Sequence, residues 1–281
     1  MSRSSDFRAS YGPWALVTGA SSGIGEQFAR QLARRGLNVL LVARRRERLD
    51  ALAGELSRRP GPQAAAVAVD LGEATAVDQV LAAVSDRDIG LVVSNAGFGL
   101  KGAFGSASRA TLESMFNVNA RTPLLLLHEL LPRLRARARA GIILTGSQEG
   151  EAPFPWSAAY AATKAFVHSL GLGLYGELQG TGVDLLVLAP GATDTEAPLL
   201  QGFRKEALPS LMPPDEVARQ ALRQLGRTAF HVPGADNRKF VALLKRMPRD
   251  KVIAFNASNM AAALAASGHP VVDEKVATRH D

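Results

Sequence analysis

The stretch Trp14-Ala15-Leu16-Val17-Thr18-Gly19-Ala20-Ser21-Ser22-Gly23-Ile24-Gly25 decides how this chain is read. Four apolar residues run unbroken into Thr18-Gly19, the pattern of a strand buried on both faces. Ile24, Phe28 and Leu32 then recur four apart and predict an amphipathic helix over residues 25–35. Glycines between such a strand and such a helix let the backbone approach a pyrophosphate. The helix N-terminus adds unpaired N–H groups and a positive dipole end. A glycine pattern alone is weak evidence, and its weight comes from the strand before it and the helix after it.

Outward from this turn the same alternation repeats. Strands are predicted over 37–43, 64–69, 90–94, 141–145, 183–189 and 228–232, with helices over 45–58, 75–84, 111–139, 157–179 and 215–225. Pro123 sits inside the predicted helix 111–139 and is expected to kink it. Apolar runs alternating with helices imply a parallel sheet covered on both faces. The expected fold is α/β, a doubly wound Rossmann-type sheet of about seven strands. Residues 1–12 read as a loose tail and 13–235 as the α/β domain that carries the glycine-rich turn. Residues 236–281 read as its helical extension, with helices over 236–247 and 252–266 and a frayed end.

Composition narrows the function classes. The chain has 281 residues, 47% hydrophobic and 21% charged, enough to bury a sizeable core. The absence of cysteine excludes disulfides, thiolate metal sites and a cysteine nucleophile. The five histidines are scattered without ligand spacing, so no metal is expected. The formal charge of +7 falls in separate helical segments, which reads as solvated faces rather than a nucleic-acid surface. No apolar run approaches the ~18 residues of a membrane span. The opening residues show no signal-peptide character, and a cytoplasmic location is expected.

Thr18 to Gly25 (TGASSGIG), Asn95-Ala96-Gly97, Tyr160 with Lys164, and Pro190-Gly191 occur in an order and spacing that resemble the short-chain dehydrogenase/reductase family over residues 13–235. The resemblance implies hydride transfer between a nicotinamide cofactor and a carbonyl or alcohol. It implies cofactor contacts from Gly19, Ser21, Ser22, Gly23, Ile24 and Gly25, from Asp70 and Leu71 at the adenine, and from Asn95, Ala96 and Gly97. Pro190, Gly191, Thr193 and Thr195 are expected near the nicotinamide, with Thr195 the best fit to its carboxamide. The second strand ends in Ala43 where an NAD enzyme usually carries an acid, and Arg44 follows. Arg44 can hold a 2′-phosphate bidentately, so NADP(H) is the expected cofactor. Arg44, Arg45 and Arg46 can also simply begin a solvated helix.

Tyr160 and Lys164 are spaced i, i+4 and share a helix face. An ammonium about 4 Å from the phenol is worth roughly three pKa units at an effective dielectric near 20. Lys164 is therefore expected to bring Tyr160 near neutrality, as general acid/base for the developing alkoxide. In similar proteins the lysine also holds the nicotinamide ribose. The family's serine falls on Ser147, which would orient the carbonyl. Its helix asparagine falls on Asn119, which would hold a water in a proton relay, with Asn117 the alternative.

Where the family commonly has Ala-Gly after its serines, this chain reads Gln148-Glu149-Gly150. Glu149 and Glu151 could shape a polar pocket or face solvent. Residues 196–212 read as a substrate lid rich in Leu199, Leu200, Phe203, Leu208, Leu211 and Met212, which favours an apolar substrate. Phe98 and Trp156 are expected to line the pocket, with Phe154 and Pro155 in a loop wall.

The resemblance points to an NADP(H)-preferring branch with a C-terminal helical extension. The basic stripe on that extension is compatible with a membrane surface or an acidic carrier, but capping the domain and meeting a second subunit is the plainer reading. A homodimer or homotetramer reducing a small carbonyl compound is expected. The alternative is a catalytically silent NADP(H)-binding sensor or scaffold.

Overall fold

The computed structural model describes residues 3–58, 61–208 and 210–269. The strands are β1 (Trp14–Thr18), β2 (Asn38–Ala43), β3 (Ala64–Ala68), β4 (Ile89–Ser94), β5 (Ala140–Thr145), β6 (Val183–Leu188) and β7 (Phe230–His231). They form one parallel sheet in the order β3-β2-β1-β4-β5-β6-β7. Successive side chains along a strand point to opposite faces. Val17, Leu41, Val93, Ile143 and Leu186 therefore enter one core, and Leu16, Leu40, Val92, Ile142 and Leu185 the other. Both faces need cover, which explains why the strands read as continuous apolar runs.

Helices α1 (Arg3–Tyr11), α2 (Gly23–Arg34), α3 (Arg46–Leu56), α4 (Ala76–Ala83), α5 (Arg109–Phe116), α6 (Thr122–Arg135), α7 (Ala158–Glu177), α8 (Ala197–Leu200), α9 (Pro214–Gln224), α10 (Ala235–Arg246) and α11 (Arg249–Ala266) complete the described fold. Phe28 and Leu32 of α2 and Val217 and Leu222 of α9 cover the first face. Val80 of α4, Leu126 and Leu130 of α6 and Val167 of α7 cover the second. The strand order reverses between β1 and β4, both of which lie in the sheet centre. In open sheets of this kind the crevice at the strand carboxyl ends is where ligands bind.

Two local expectations are corrected. The segment read as a loose tail is helical over Arg3–Tyr11. Tyr11 is buried, packs edge-on to Phe7, and donates its hydroxyl to Asp184 at 2.6 Å. No periodicity marks this segment, and one long-range hydrogen bond ties it down. The predicted helix 111–139 is α5 and α6 joined by a π-helical turn over Asn117–Arg121. The Thr122 N–H reaches back five residues to the Asn117 carbonyl. Pro123, with no N–H to offer, sits in the first turn of α6, so the distortion precedes it. The expected frayed end, residues 270–281, lies outside the described residues.

Candidate active site

A single cavity of about 1420 Å³ opens along the carboxyl ends of β1, β2, β3, β4, β5 and β6. Drug-sized pockets span about 300–1,000 Å³, so this one has room for a dinucleotide and a second molecule. Gly19, Ser21, Ser22, Gly23, Ile24, Arg44, Asp70, Leu71, Asn95, Ala96, Gly97, Ser147, Tyr160, Lys164, Pro190, Gly191, Thr193 and Thr195 all line it. Gly25 and Asn119 stand behind its wall.

The glycines fit a close-packed turn. Gly23 has φ +58°, and a Cβ there would lie 2.9 Å from the Thr195 methyl. A Cβ on Gly25 would lie 2.2 Å from the Gly19 carbonyl oxygen, so only glycine lets α2 sit this close to β1. The Ser22 side chain makes no cap for α2. The first N–H groups of this helix therefore face the cavity without a side-chain acceptor, which is the arrangement a phosphate needs.

Thr18, buried at the end of β1, accepts from the backbone N–H groups of Asn95 and Ala96 at 3.0 and 3.1 Å. These bonds hold the floor of the cavity. Asp70 accepts from the Gly72 N–H at 2.9 Å, forming a tight turn, and lies 3.9 Å from Arg44. Arg44 is largely exposed. Its neighbour Arg45 is the better engaged cation: it donates to Ser21 at 3.1 Å, to Ser22 at 2.6 Å and to Glu196 at 2.7 Å. Arg48 meets the other Glu196 oxygen at 2.6 Å. These hydrogen bonds hold the Glu196 carboxyl well below the usual carboxylate range. Among three consecutive arginines, nothing in the sequence tells which one turns back toward the serines.

At the other end of the crevice, Ser147, Tyr160 and Lys164 share one wall. Ser147 leaves β5 and accepts the Glu149 N–H at 3.2 Å. Lys164 is 3% exposed and donates to the Thr145 carbonyl at 3.0 Å. Its Nζ is 5.7 Å from the Tyr160 ring centre. Burial lowers Lys164 to about 8, partly opposed by Glu149. Burial, and then the Glu149 charge, push the Tyr160 phenol well above its ordinary value, against a hydrogen bond with Ser147. The expected lowering of Tyr160 by Lys164 is therefore corrected.

Asn119 lies in the π-helical turn. It accepts the Phe98 N–H at 3.1 Å and donates to the Phe98 carbonyl and to Thr163. Its amide fixes the loop that carries Gly97, where a Cβ would touch both Asn119 and Lys164. Asn117 points elsewhere, to the Gly72 carbonyl.

Phe98 lines the cavity as expected, whereas Trp156 does not, and Phe154 takes that place. From the lid, Leu200, Phe203 and Leu208 reach the cavity; Leu199, Leu211 and Met212 do not. Phe240 of α10 and Phe255 and Met260 of α11 complete the wall, so the C-terminal helices build the pocket. Sequence reading missed this because these residues follow the last strand and carry no motif.

Residues 13–201 match the family model for short chain dehydrogenases. The chain belongs to the short-chain dehydrogenase family. A 7beta-hydroxysteroid dehydrogenase of Clostridium sardiniense is 33% identical over 250 residues, covering 89% of this chain and 96% of the relative. A solved 7beta-hydroxysteroid dehydrogenase aligns with a TM-score of 0.81 at 29% identity, over 89% of this chain and 98% of that one. A short-chain dehydrogenase from Sphingobium yanoikuyae, solved in complex with NADPH, aligns with a TM-score of 0.75 at 32% identity, over 84% and 96%. Family membership makes this chain an NAD(P)-dependent oxidoreductase acting between alcohols and carbonyls. Among the described residues no helix is long and apolar enough to cross a membrane, and no cluster could hold a metal ion.

Proposed function

We propose that the protein is an NADPH-dependent reductase of bulky, neutral ketones, with Tyr160 as proton donor. The carrying observation is the convergence of Ser147, Tyr160 and Lys164 on the wall of a cavity whose far end is the glycine-rich turn. When bound, the reduced nicotinamide supplies the hydride. Ser147 orients the carbonyl, and Tyr160, protonated at neutral pH as a phenol ordinarily is, gives its proton to the developing alkoxide. Lys164 holds the nicotinamide ribose, and Asn119 keeps the Gly97–Phe98 loop in place beside it. A preference for NADP(H) is supported by Ala43, where an acid would repel a 2′-phosphate, and by Arg44 and Arg45 at that rim.

The substrate class follows from the lining. Phe98, Phe154, Phe203, Phe240 and Phe255 surround the substrate end. Among the described lining residues the only cations are Arg44 and Arg45 at the cofactor end and Lys164 at the reacting centre. Glu149, Glu206 and Asp236 lie at the substrate end, so an anionic substrate group meets no partner there. Phe116, Leu124, Phe166 and Leu172 are exposed on α5, α6 and α7, which supports a homo-oligomer built on that face. The test is NADPH oxidation against neutral cyclic ketones, their carboxylated analogues, aldehydes and 3-oxoacyl esters. Fastest turnover of neutral cyclic ketones supports the reading. NADPH binding with no turnover of any carbonyl favours a silent sensor instead.

A further inference from the structure

Lys101 lies on the loop between β4 and α5, and its side chain is only 1% exposed. Its Nζ donates to both Glu149 carboxylate oxygens at 2.6 Å and to Ser157 Oγ at 2.7 Å. Ser157 Oγ in turn donates to Glu149 at 2.5 Å. Every donor and acceptor of this cluster is engaged, so it is a built network rather than a chance contact. A charge pair this deep is poor value for stability, because desolvation offsets most of the attraction. Its placement is more informative. Lys101 Nζ stands 4.8 Å from the centre of the Tyr160 ring.

The same cluster is bonded into both segments that carry the reacting groups. The Glu149 N–H donates to Ser147 Oγ, and Ser157 is the residue just before α7, which carries Tyr160. Next to it, Trp156 adopts a left-handed backbone with φ 64°, a costly conformation for a bulky residue. Gly102, adjacent to Lys101, donates its N–H to the Trp156 carbonyl at 2.8 Å. The loop and the start of α7 are thus locked together at two neighbouring points.

We propose that the Lys101–Glu149 pair is a positioning device for Tyr160, clamping its ring and balancing the charge around its phenol. This rests on the reading of Tyr160 as proton donor. The groups facing the phenol are Lys101 from the β4–α5 loop, Glu149 and Ser147 from the turn after β5, and Lys164 from α7 itself. Lys164 is directed to the Thr145 carbonyl. Lys101 and Glu149 act on the phenol with opposite sign. Glu149 alone makes it harder to ionise, and Lys101 alone makes it easier. A pair that only held the loop would not separate these two directions.

The test is a titration of the full-length protein labelled with ζ-carbon-13 tyrosine, with NADP⁺ bound. The chain has three tyrosines, and Tyr160→Phe assigns the signal. Lys101→Met is expected to raise the Tyr160 midpoint and Glu149→Gln to lower it. The Lys101 shift should be roughly two pH units, the effect of one charge about 5 Å from the ring at an effective dielectric near 20, and the Glu149 shift should be of opposite sign. The double variant should return close to the wild-type midpoint. Shifts in the same direction, or none in folded variants, overturn the proposal. The Tyr11 and Tyr175 signals report folding. If a single variant does not fold, the exchanged pair Lys101→Glu with Glu149→Lys decides: a carboxylate over the ring raises the midpoint, and an unchanged midpoint overturns the proposal. Ketone reduction by Tyr160→Phe separates the two readings. Full activity there sinks the proton-donor assignment, whereas an inactive variant with unmoved midpoints in the charge variants sinks only the role of the pair.

Discussion

His168 accepts the backbone N–H of Ser147 through Nε2 at 3.3 Å. Its other ring nitrogen is 2.8 Å from Glu151, which also meets Lys245 of α10 at 2.5 Å. The backbone of Ser147 is thus connected, through two buried side chains, to the C-terminal extension.

This connection gives a pH-dependent stability. Burial alone would raise the Glu151 carboxyl, but the close approach of His168 and Lys245 outweighs it and leaves it below its ordinary value. A carboxylate with a depressed folded pKa stabilises the fold above its unfolded pKa and loses that contribution as pH falls through the folded one. Glu151→Gln should cost about 2–4 kcal/mol at neutral pH, the usual range for breaking a buried charged contact. Urea midpoints of variant and wild type should converge as the medium is acidified below about pH 4.5, the ordinary Glu value. A gap that stays constant into acid contradicts the assignment.

Arg45, rather than the exposed Arg44, should be the main reader of a 2′-phosphate. It already spans Ser21, Ser22 and Glu196 at that rim. Arg45→Ala is expected to weaken NADPH binding about 10–100-fold, the worth of a charge-assisted bidentate contact, and to leave NADH within about threefold. Arg44→Ala should do less. Fluorescence titration of both cofactors checks the ranking, which fails if Arg44→Ala is the more damaging.

Lys164 is buried at a cost. With a folded pKa of about 8 against an ordinary 10.5, its charge is disfavoured in the fold by about 3 kcal/mol at neutral pH. The unfolded chain binds more protons between those two values, so stability rises with pH across that window. Lys164→Met should melt a few degrees higher at neutral pH while losing turnover, and the gain should fade above about pH 10. A lower melting temperature at neutral pH would show that the Thr145 hydrogen bond outweighs the burial cost.

Much of the fold was legible because it is local. Buried parallel strands announce themselves as apolar runs, and Gly19, Gly23 and Gly25 announce the turn. Tyr160 and Lys164 were picked out by their i, i+4 spacing together with the family resemblance, and Ser147 by the resemblance alone. What was hidden depends on contacts between distant residues: Lys101 with Glu149, 48 apart; Tyr11 with Asp184, 173 apart. The helical start at Arg3–Tyr11 carries no amphipathic pattern and is fixed by such contacts. Glu149 and Glu151 were visible as departures, but neighbours two apart took different partners, one at the phenol and one behind Ser147. The substrate wall from α10 and α11 was missed because apolar residues of a terminal helix look the same whether they cap a core or line a cavity.

The most direct test is single-turnover reduction of the best neutral ketone by the NADPH complex of wild type and Tyr160→Phe. Removing one hydroxyl from the wall that also carries Ser147 and Lys164 should slow hydride transfer about 10²–10⁴-fold, the range for a lost general acid, with NADPH affinity unchanged. A variant that reduces the ketone at the wild-type rate would contradict the assignment of Tyr160 as the proton donor.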